Sequence, residues 1–260
     1  MLWLIVAFAF LSGAMIAAWL VRRITGRSGW IDTIWSAATG IAALVAILAA
    51  DGDVGRKLAG AALVAIWSLR LATHIGQRSA ASIDDPRYAN LMAEWGPDAD
   101  RRLFWFLQAQ ALAGFGLAVS VFAAVGNPAP FPSLLDWIAL LVALVALAGE
   151  AIADRQLAVF RKSANRTSTI CETGLWRYSR HPNYFFEWLW WCAWPLLAFS
   201  GFTPAPAPAL SLLAPALMYV LLVHVSGIPP LEEHMVKSRG DAFRSYQRRG
   251  NAFFPGPGRR

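Results

Sequence analysis

The sequence contains few of the residues that form disulfides or bind metals. Of its 260 residues, two are Cys and four are His. Cys171 falls in a predicted loop and Cys192 inside an apolar run, so a disulfide is not expected. No group of Cys and His residues has the spacing of metal ligands. We therefore predict neither a disulfide-stabilised fold nor a metal site.

Charged residues are also scarce, at 15%, whereas 57% of the residues are hydrophobic and 13 are Trp. This composition is typical of membrane proteins. A helix that crosses a bilayer needs about 20 mostly apolar residues. We predict an all-α integral membrane protein that forms a single domain. Its seven transmembrane helices are predicted at 1–21, 31–50, 58–76, 103–125, 133–154, 184–202 and 207–228.

The distribution of Lys and Arg predicts the orientation, because these residues are retained in short cytoplasmic loops. Basic residues follow the first, third, fifth and seventh predicted spans, whereas only Arg56 and Lys57 lie on the opposite side. We expect the N-terminus outside and the C-terminus in the cytoplasm, in a bacterial inner membrane. The first span lacks a basic start and a cleavage site, so we expect it to be retained. The net charge of +7 then reflects topology and attraction to lipid headgroups rather than nucleic-acid binding.

Nucleotide-binding loops are absent as well. The sequence has no GxGxxG motif after a strand and no GxxxxGK[ST] motif, which excludes a Rossmann turn and a P-loop. Any nucleotide would have to be held by helices and their side chains.

Four carboxylates fall inside or at the ends of apolar spans, where ionisable groups are usually kept for a site. They are Asp32, Glu150, Asp154 and Glu187. A fifth, Asp136, opens a predicted span, and we interpret it as a helix cap.

Basic and polar residues surround two of these carboxylates. Arg155, Arg161, Lys162 and Arg166 follow Asp154, and Arg177, Arg180, His181 and Asn183 precede Glu187. These charges could simply form ion pairs at the end of a helix. However, Arg presents a planar fork that suits phosphate, so this many cations favour a ligand with several phosphates.

Two adjacent segments, "ADRQLAVFRKSANR" (153–166) and "ETGLWRYSRHPNYFFE" (172–187), carry a resemblance. They resemble the C-terminal core of the membrane-embedded steroid 5-alpha-reductases and sterol reductases, and of bacterial proteins related to them. The resemblance extends to "GWIDTIW" (29–35), "WSLRLATHIGQR" (67–78), "DDPRYANLMAEWG" (84–96) and "SGIPPLEEHMVKSRGDAFRSYQRRGNAFFP" (226–255). "RHPNY" also resembles the isoprenylcysteine carboxyl methyltransferases, which use S-adenosylmethionine.

The reductase resemblance implies a seven-helix bundle that binds NADPH in a cytoplasm-facing pocket. Residues 103–260 would form the cofactor-binding core, and residues 1–102 would form part of a pocket for a lipophilic substrate from the bilayer. The implied cofactor-binding residues are Asp154, Arg161, Arg177, Arg180, His181, Asn183, Tyr184, Glu187, Glu232, Glu233, Arg244, Tyr246 and Arg248.

The resembled reductases pair an acid with a Tyr as proton donor. Asp32 is the nearest match to the acid, whereas Trp67 or its neighbourhood occupies the Tyr position. Tyr88 and Tyr178 are candidate substitutes, although both could be interfacial aromatics. Asp32 could instead pair with Arg70 or Arg27 and only anchor a helix end.

Three functions from different classes follow. The first is an NADPH-dependent reductase of a carbon–carbon double bond in a steroid-, isoprenoid- or acyl-like lipid. The second is a methyltransferase of the isoprenylcysteine type, which is less favoured because S-adenosylmethionine carries no phosphate. The third is a non-catalytic membrane protein, disfavoured because the carboxylates gather at one membrane face.

Overall fold

A computed structural model describes residues 2–81, 85–162, 170–201 and 206–258. Every regular element within these ranges is a helix. The α-helices are α1 Leu2–Thr25, α2 Trp30–Ala49, α3 Val54–Ala81, α4 Pro86–Trp95, α5 Ala99–Val125, α6 Leu134–Lys162, α7 Pro182–Ala198, α8 Pro206–Ala209, α9 Leu213–Val220, α10 Ile228–Arg239 and α11 Asp241–Arg249. Short 3-10 turns lie at Gly96–Asp98, Gly174–Arg177 and Leu210–Leu212, and a π-helical turn lies at Leu221–Val225.

Six helical stretches are long and apolar enough to cross a bilayer, which supports the predicted membrane protein. They are Leu2–Thr25, Trp30–Ala49, Val54–Ala81, Arg87–Val125, Leu134–Lys162 and Leu210–Arg239. The predicted span at 184–202 corresponds to α7, which has 17 residues and an internal proline, Pro195. At about 1.5 Å per residue it is roughly 26 Å long, at the lower limit for a membrane helix. It therefore does not add a seventh helix to this set.

The chain forms two compact units. Unit 1 comprises Met1–Trp137 and Trp194–Ala214, and unit 2 comprises Ile138–Ala193 and Pro215–Arg260. In unit 1, α2 packs against α1, α3 and α5. Small residues on α2 permit the close approach, since a Cβ added to Gly40 would collide with the Ser68 hydroxyl on α3.

A buried ion pair, Arg56–Asp136, lies in unit 1. Arg56 donates to both carboxylate oxygens of Asp136, at 3.1 and 3.0 Å, and both side chains are 0% exposed. The remaining guanidinium bonds go to the Asn127 and Ala129 carbonyls and to the Ser200 hydroxyl, at 2.7 to 2.8 Å. Asp136 also accepts from the Ser133 N–H, while the Ser133 hydroxyl accepts from the Asp136 N–H. The predicted capping interaction is thus present, and it is combined with an ion pair.

The C-terminal part of unit 2 folds back on the segment before α7. The Arg180 N–H donates to the Asn251 carbonyl at 2.8 Å, and the Gly256 N–H donates to the Tyr178 carbonyl at 3.1 Å. Phe253 and Phe254 then pack edge-on against Trp188 of α7, with ring centroids 5.8 and 5.6 Å away. These backbone and aromatic contacts fix the residues after α11.

Candidate functional site

The first candidate site, in unit 1, joins α2 and α4 through the carboxylate of Asp32, and α5 joins it through the Tyr88 hydroxyl. The Tyr88 hydroxyl donates to one carboxylate oxygen at 2.7 Å, and the Arg87 guanidinium donates to the other at 2.5 Å. The Gln110 amide nitrogen donates to the Tyr88 oxygen at 3.0 Å. The structure therefore brings together the acid and one of the two tyrosines that the sequence analysis named.

The start of α4 explains why Arg87 and Tyr88 reach Asp32. Asp85 is the N-cap of this helix and accepts from the Arg87 N–H at 2.9 Å, and Pro86 occupies the first helical position. The Asp85 N–H is anchored in turn on the Ser28 hydroxyl, just before α2. The first turn of α4 is thus held against the start of α2.

Asp85 also supports the Arg87 side chain. Its carboxylate accepts from Arg87 at 3.0 and 3.1 Å and from Arg78 at 3.3 Å. Burial alone would raise the pKa of Asp85, but the charge and hydrogen bonds of Arg87 outweigh it and hold the pKa below its usual value. Asp85 is therefore ionised at neutral pH, and Arg87 lies between two carboxylates.

The environment of this network is partly open. Tyr88 is 4% exposed, whereas the Asp32 and Arg87 side chains are 19% and 22% exposed. A buried phenol bonded to a partly exposed carboxylate can pass a proton between solvent and the interior. Within the described residues, the Gln110 amide oxygen is buried without a hydrogen-bond partner.

Sequence reasoning missed two members of this network, Arg87 and Gln110. Two features of the sequence could have identified them: Arg87 directly precedes Tyr88, and Gln110 is a polar residue inside a predicted span. Arg27, considered as a partner for Asp32, lies instead in a groove between α1 and α2. Trp67 is fully buried in α3.

The second candidate site is a hydrogen-bonded cluster in unit 2, centred on Glu232 of α10. Its carboxylate accepts from Arg180 at 2.8 and 3.1 Å, from His181 at 2.8 Å and from Gln247 at 2.7 Å. Arg180 also donates to the carbonyls of Gln247 and Gly250. Arg180 is therefore engaged within the protein, and its fork is bidentate on a carboxylate.

Burial determines the protonation of the groups around this cluster. Burial lowers the pKa of His181, and the Arg180 charge acts in the same direction, although the hydrogen bond to Glu232 opposes them. His181 is thus neutral at pH 7. Burial raises the pKa of Tyr246, whose hydroxyl donates to the Trp176 carbonyl. Both groups act as neutral hydrogen-bonding partners.

Four further predicted residues, Asp154, Asn183, Tyr184 and Glu187, make local contacts on α6 and α7. The Asn183 amide donates to Asp154 at 3.4 Å. The Tyr184 ring stacks on His181, with centroids 5.5 Å apart. Glu187 is buried and accepts from the Trp191 indole at 3.0 Å. Asp154 and Asn183 thus form a polar pair between the two helices.

The other predicted residues of unit 2 are exposed. Arg244 pairs with Asp241 at 3.0 Å, and Glu233 pairs with Lys237 at 2.6 Å. Tyr178 is 48% exposed. Arg155, Arg161, Lys162, Arg177 and Arg248 are exposed as well. Arg166 lies outside the described residues.

The described ranges contain no group of three or more His, Cys, Asp or Glu side chains that could hold a metal ion.

Comparison with known proteins identifies the family. The sequence model of the family described as "Protein of unknown function (DUF1295)" matches residues 18–250, and the chain belongs to this family. No curated protein and no solved structure matches the chain.

Proposed function

We propose that this member of the family is an NADPH-dependent reductase of a carbon–carbon double bond in a lipophilic substrate. The observation that carries the proposal is the hydrogen bond from the Tyr88 phenol to Asp32. An acid and tyrosine pair is what the resemblance to the steroid 5-alpha-reductases calls for, and in this proposal Tyr88 takes the role of the tyrosine that the sequence lacks near Trp67.

The chain's own part in the reaction is to supply a proton. When bound, NADPH supplies the hydride. Reduction of a double bond conjugated to a carbonyl places negative charge on the carbonyl oxygen, and a positioned phenol can donate to it. Tyr88 would turn its O–H from Asp32 to that oxygen, while Gln110 continues to donate to the phenol oxygen. Asp32, which is partly exposed, would then return a proton from solvent to the phenol.

The donor set of unit 2 fits a ligand that carries phosphates. Arg155, Arg177 and Arg248 are exposed, and their side chains have no ion-pair partner among the described residues. Planar guanidinium groups suit phosphate oxygens. The Asp154 and Asn183 pair offers a carboxylate and an amide to the remainder of a dinucleotide. Arg180 and His181 would act by holding the segment before α7 in place, since Glu232 already occupies their donors.

The substrate would be a steroid-, isoprenoid- or acyl-like lipid that reaches the site from the bilayer. The six apolar helices support a membrane location, and the basic loops favour a cytoplasmic C-terminus. Reporter fusions test this orientation: a reporter after residue 258 should be active only as a cytoplasmic fusion, and a periplasmic signal would contradict it.

A second candidate is an S-adenosylmethionine-dependent methyltransferase. The observation that favours it is the pairing of Arg180 with Glu232, because this removes one cation from the expected phosphate site. S-adenosylmethionine carries no phosphate and requires fewer cations.

A thermal-shift experiment with the full chain in detergent separates the two proposals, because a ligand that binds only the folded state raises its apparent stability. We expect stabilisation by NADPH and none by S-adenosylmethionine. The variants Arg177→Gln and Arg248→Gln should weaken the NADPH effect, whereas Arg101→Gln, which alters an exposed arginine of unit 1, should not. Stabilisation by S-adenosylmethionine alone would overturn the reductase proposal.

A further inference from the structure

A groove of about 520 Å³ lies in unit 1, between the end of α1 and the start of α2. Its lining residues are Val21, Thr25, Arg27, Trp30 and Ile34. All of them are half-buried or exposed, so the groove is open to the surroundings of the protein. Its volume falls within the range of about 300–1,000 Å³ that is usual for small-ligand sites.

The two walls of the groove follow from helical spacing. Val21 and Thr25 are one turn apart on α1, and Trp30 and Ile34 are one turn apart on α2, so each pair shares a face. All but Thr25 are apolar, and the Thr25 hydroxyl is satisfied by the Val21 carbonyl at 2.7 Å. The walls therefore suit a hydrocarbon chain.

The connection between α1 and α2 places the positively charged Arg27 at the groove. Gly26 adopts a positive φ of 71° and donates its N–H to the Arg22 carbonyl at 2.8 Å, which ends α1. The Arg27 N–H then bonds the Thr25 hydroxyl at 3.2 Å. This geometry fixes the backbone from which the Arg27 side chain projects.

Arg27 differs from the two other arginines at this end of α1. Arg22 pairs with Asp100 at 2.5 Å, and the Arg23 guanidinium lies 5.1 Å from the Trp19 ring centroid. No residue that the structure describes bonds or pairs with the Arg27 side chain. The groove thus combines apolar walls with one cation that is available to an anion.

The groove is separate from the Asp32 network. Asp32 lies between Trp30 and Ile34 in sequence, but its carboxylate is bonded to Arg87 and Tyr88, and it does not line the groove. A ligand in the groove would therefore not need to take part in the proposed reaction.

We propose that this groove binds an anionic phospholipid of the bilayer. One acyl chain lies along Val21, Trp30 and Ile34, and the phosphate bonds to Arg27. The position along the chain supports this occupant, because the last turn of the 24-residue apolar helix α1 carries Arg22 and Arg23, and Arg27 and Trp30 follow it. Such residues mark the interface with the headgroups, where anionic lipids attract cations.

A lipid titration tests the proposal. The full chain is purified in a non-ionic detergent, and its thermal stability is followed as phosphatidylglycerol is added. We expect saturable stabilisation, and Arg27→Gln should weaken the apparent affinity about tenfold, the usual effect of losing one charge-assisted hydrogen bond. Ile34→Trp, which fills the groove without changing the charge, should also weaken it.

Matched controls distinguish this site from general surface attraction. Arg102→Gln removes an exposed arginine of the same unit that does not line the groove, and it should leave the affinity unchanged. Glycerol 3-phosphate should not stabilise the protein, because it has no acyl chain. The proposal is overturned if Arg27→Gln and Arg102→Gln act alike, if phosphatidylcholine with the same chains binds equally well, or if glycerol 3-phosphate reproduces the effect.

Discussion

Two of the arginine–aspartate pairs in unit 1, Arg56–Asp136 and Arg87–Asp32, differ in how fully protein atoms enclose them. The side chains of Arg56 and Asp136 are both 0% exposed. In the second pair, the Arg87 side chain is 22% exposed and the Asp32 side chain 19%. The first pair is surrounded by carbonyls and hydroxyls, whereas the second shares its carboxylate with a phenol.

Under the proposed function, this difference separates a structural role from a chemical one. All the hydrogen bonds described for the Arg56 pair go to other protein groups, and neither side chain is exposed to solvent. The pair can therefore hold segments together, but it cannot exchange a proton with solvent. The Asp32 pair leaves part of the carboxylate accessible and directs a buried O–H towards it. Asp32 and Asp136 both lie in the first turn of an apolar helix, so their position in the helix does not distinguish them. Their hydrogen-bond partners do.

The largest effect is expected from breaking the enclosed pair. Arg56→Met should lower the free energy of unfolding by about 3–5 kcal/mol, because it leaves the Asp136 carboxylate buried without a counter-charge. Chemical denaturation in detergent measures this loss. The double variant Arg56→Met/Asp136→Leu should recover much of it, and a loss below about 1 kcal/mol in the single variant would contradict the structural role.

A change in the open pair should affect turnover far more than stability. Tyr88→Phe should reduce NADPH-dependent turnover of a lipophilic enone by about 100-fold or more, since it removes the proton donor. The free energy of unfolding should change by only about 1 kcal/mol, the usual value for one hydrogen bond.

Asp32→Asn is the companion variant, because it keeps the size of the side chain and removes its charge. It should retain NADPH binding in the thermal-shift assay and lose turnover. Full turnover in either variant would remove the pair from the mechanism.

The Glu232 cluster of unit 2 is slightly more exposed than the Arg56 pair, with Glu232 12% exposed, and it contains a histidine whose pKa is lowered by burial. The pKa of His181 is below its usual value of 6.5 in the folded chain. As the pH falls below about 6.5, the unfolded chain therefore takes up a proton that the folded chain does not, and stability decreases until the folded pKa is passed. Melting temperatures between pH 7.5 and 5.5 should show this decrease.

His181→Gln should make that pH dependence shallower, because Gln can donate to Glu232 but does not titrate. An unchanged slope in this variant would show that another group is responsible.

The smallest effect is expected at an exposed pair. Glu233 and Lys237 lie 2.6 Å apart with side chains 55% and 60% exposed, so Glu233→Gln should change the free energy of unfolding by less than about 0.5 kcal/mol. Because the resemblance implies that Glu233 contacts NADPH, the same variant tests that role: unaltered NADPH affinity would exclude it.

Much of the architecture could be predicted from the sequence, because long apolar runs have few alternatives to spanning helices. The runs at 1–21, 31–50 and 58–76 correspond to α1, α2 and α3. The exception is α7, whose apolar run extends past its last helical residue, Ala198. Apolar composition alone does not show where the backbone stops being helical.

The candidate sites were harder to predict from the sequence, because they depend on contacts between side chains that are far apart in the chain. Asp32 and Tyr88 could be named from composition and resemblance, but their bond joins residues 56 positions apart. Arg180 was interpreted as a phosphate ligand because the sequence showed only its neighbours. Its carboxylate partner, Glu232, is 52 positions further on. The packing of α10 against the segment before α7 decides that pairing.

The hydrogen bonds between Arg180 and the C-terminal residues have a consequence for biosynthesis. The Gly250 carbonyl that Arg180 bonds is made 70 residues later. At about 5–20 residues per second, a ribosome needs roughly 4 to 14 s to produce it. During that interval the arginine lacks part of its native set of acceptors, because Glu232 is made 52 residues after it and Gly250 70 residues after it. Unit 2 can complete its folding only after translation has passed this point, and a chain truncated between residues 232 and 250 would contain the Glu232 partner of Arg180 but lack its Gly250 acceptor.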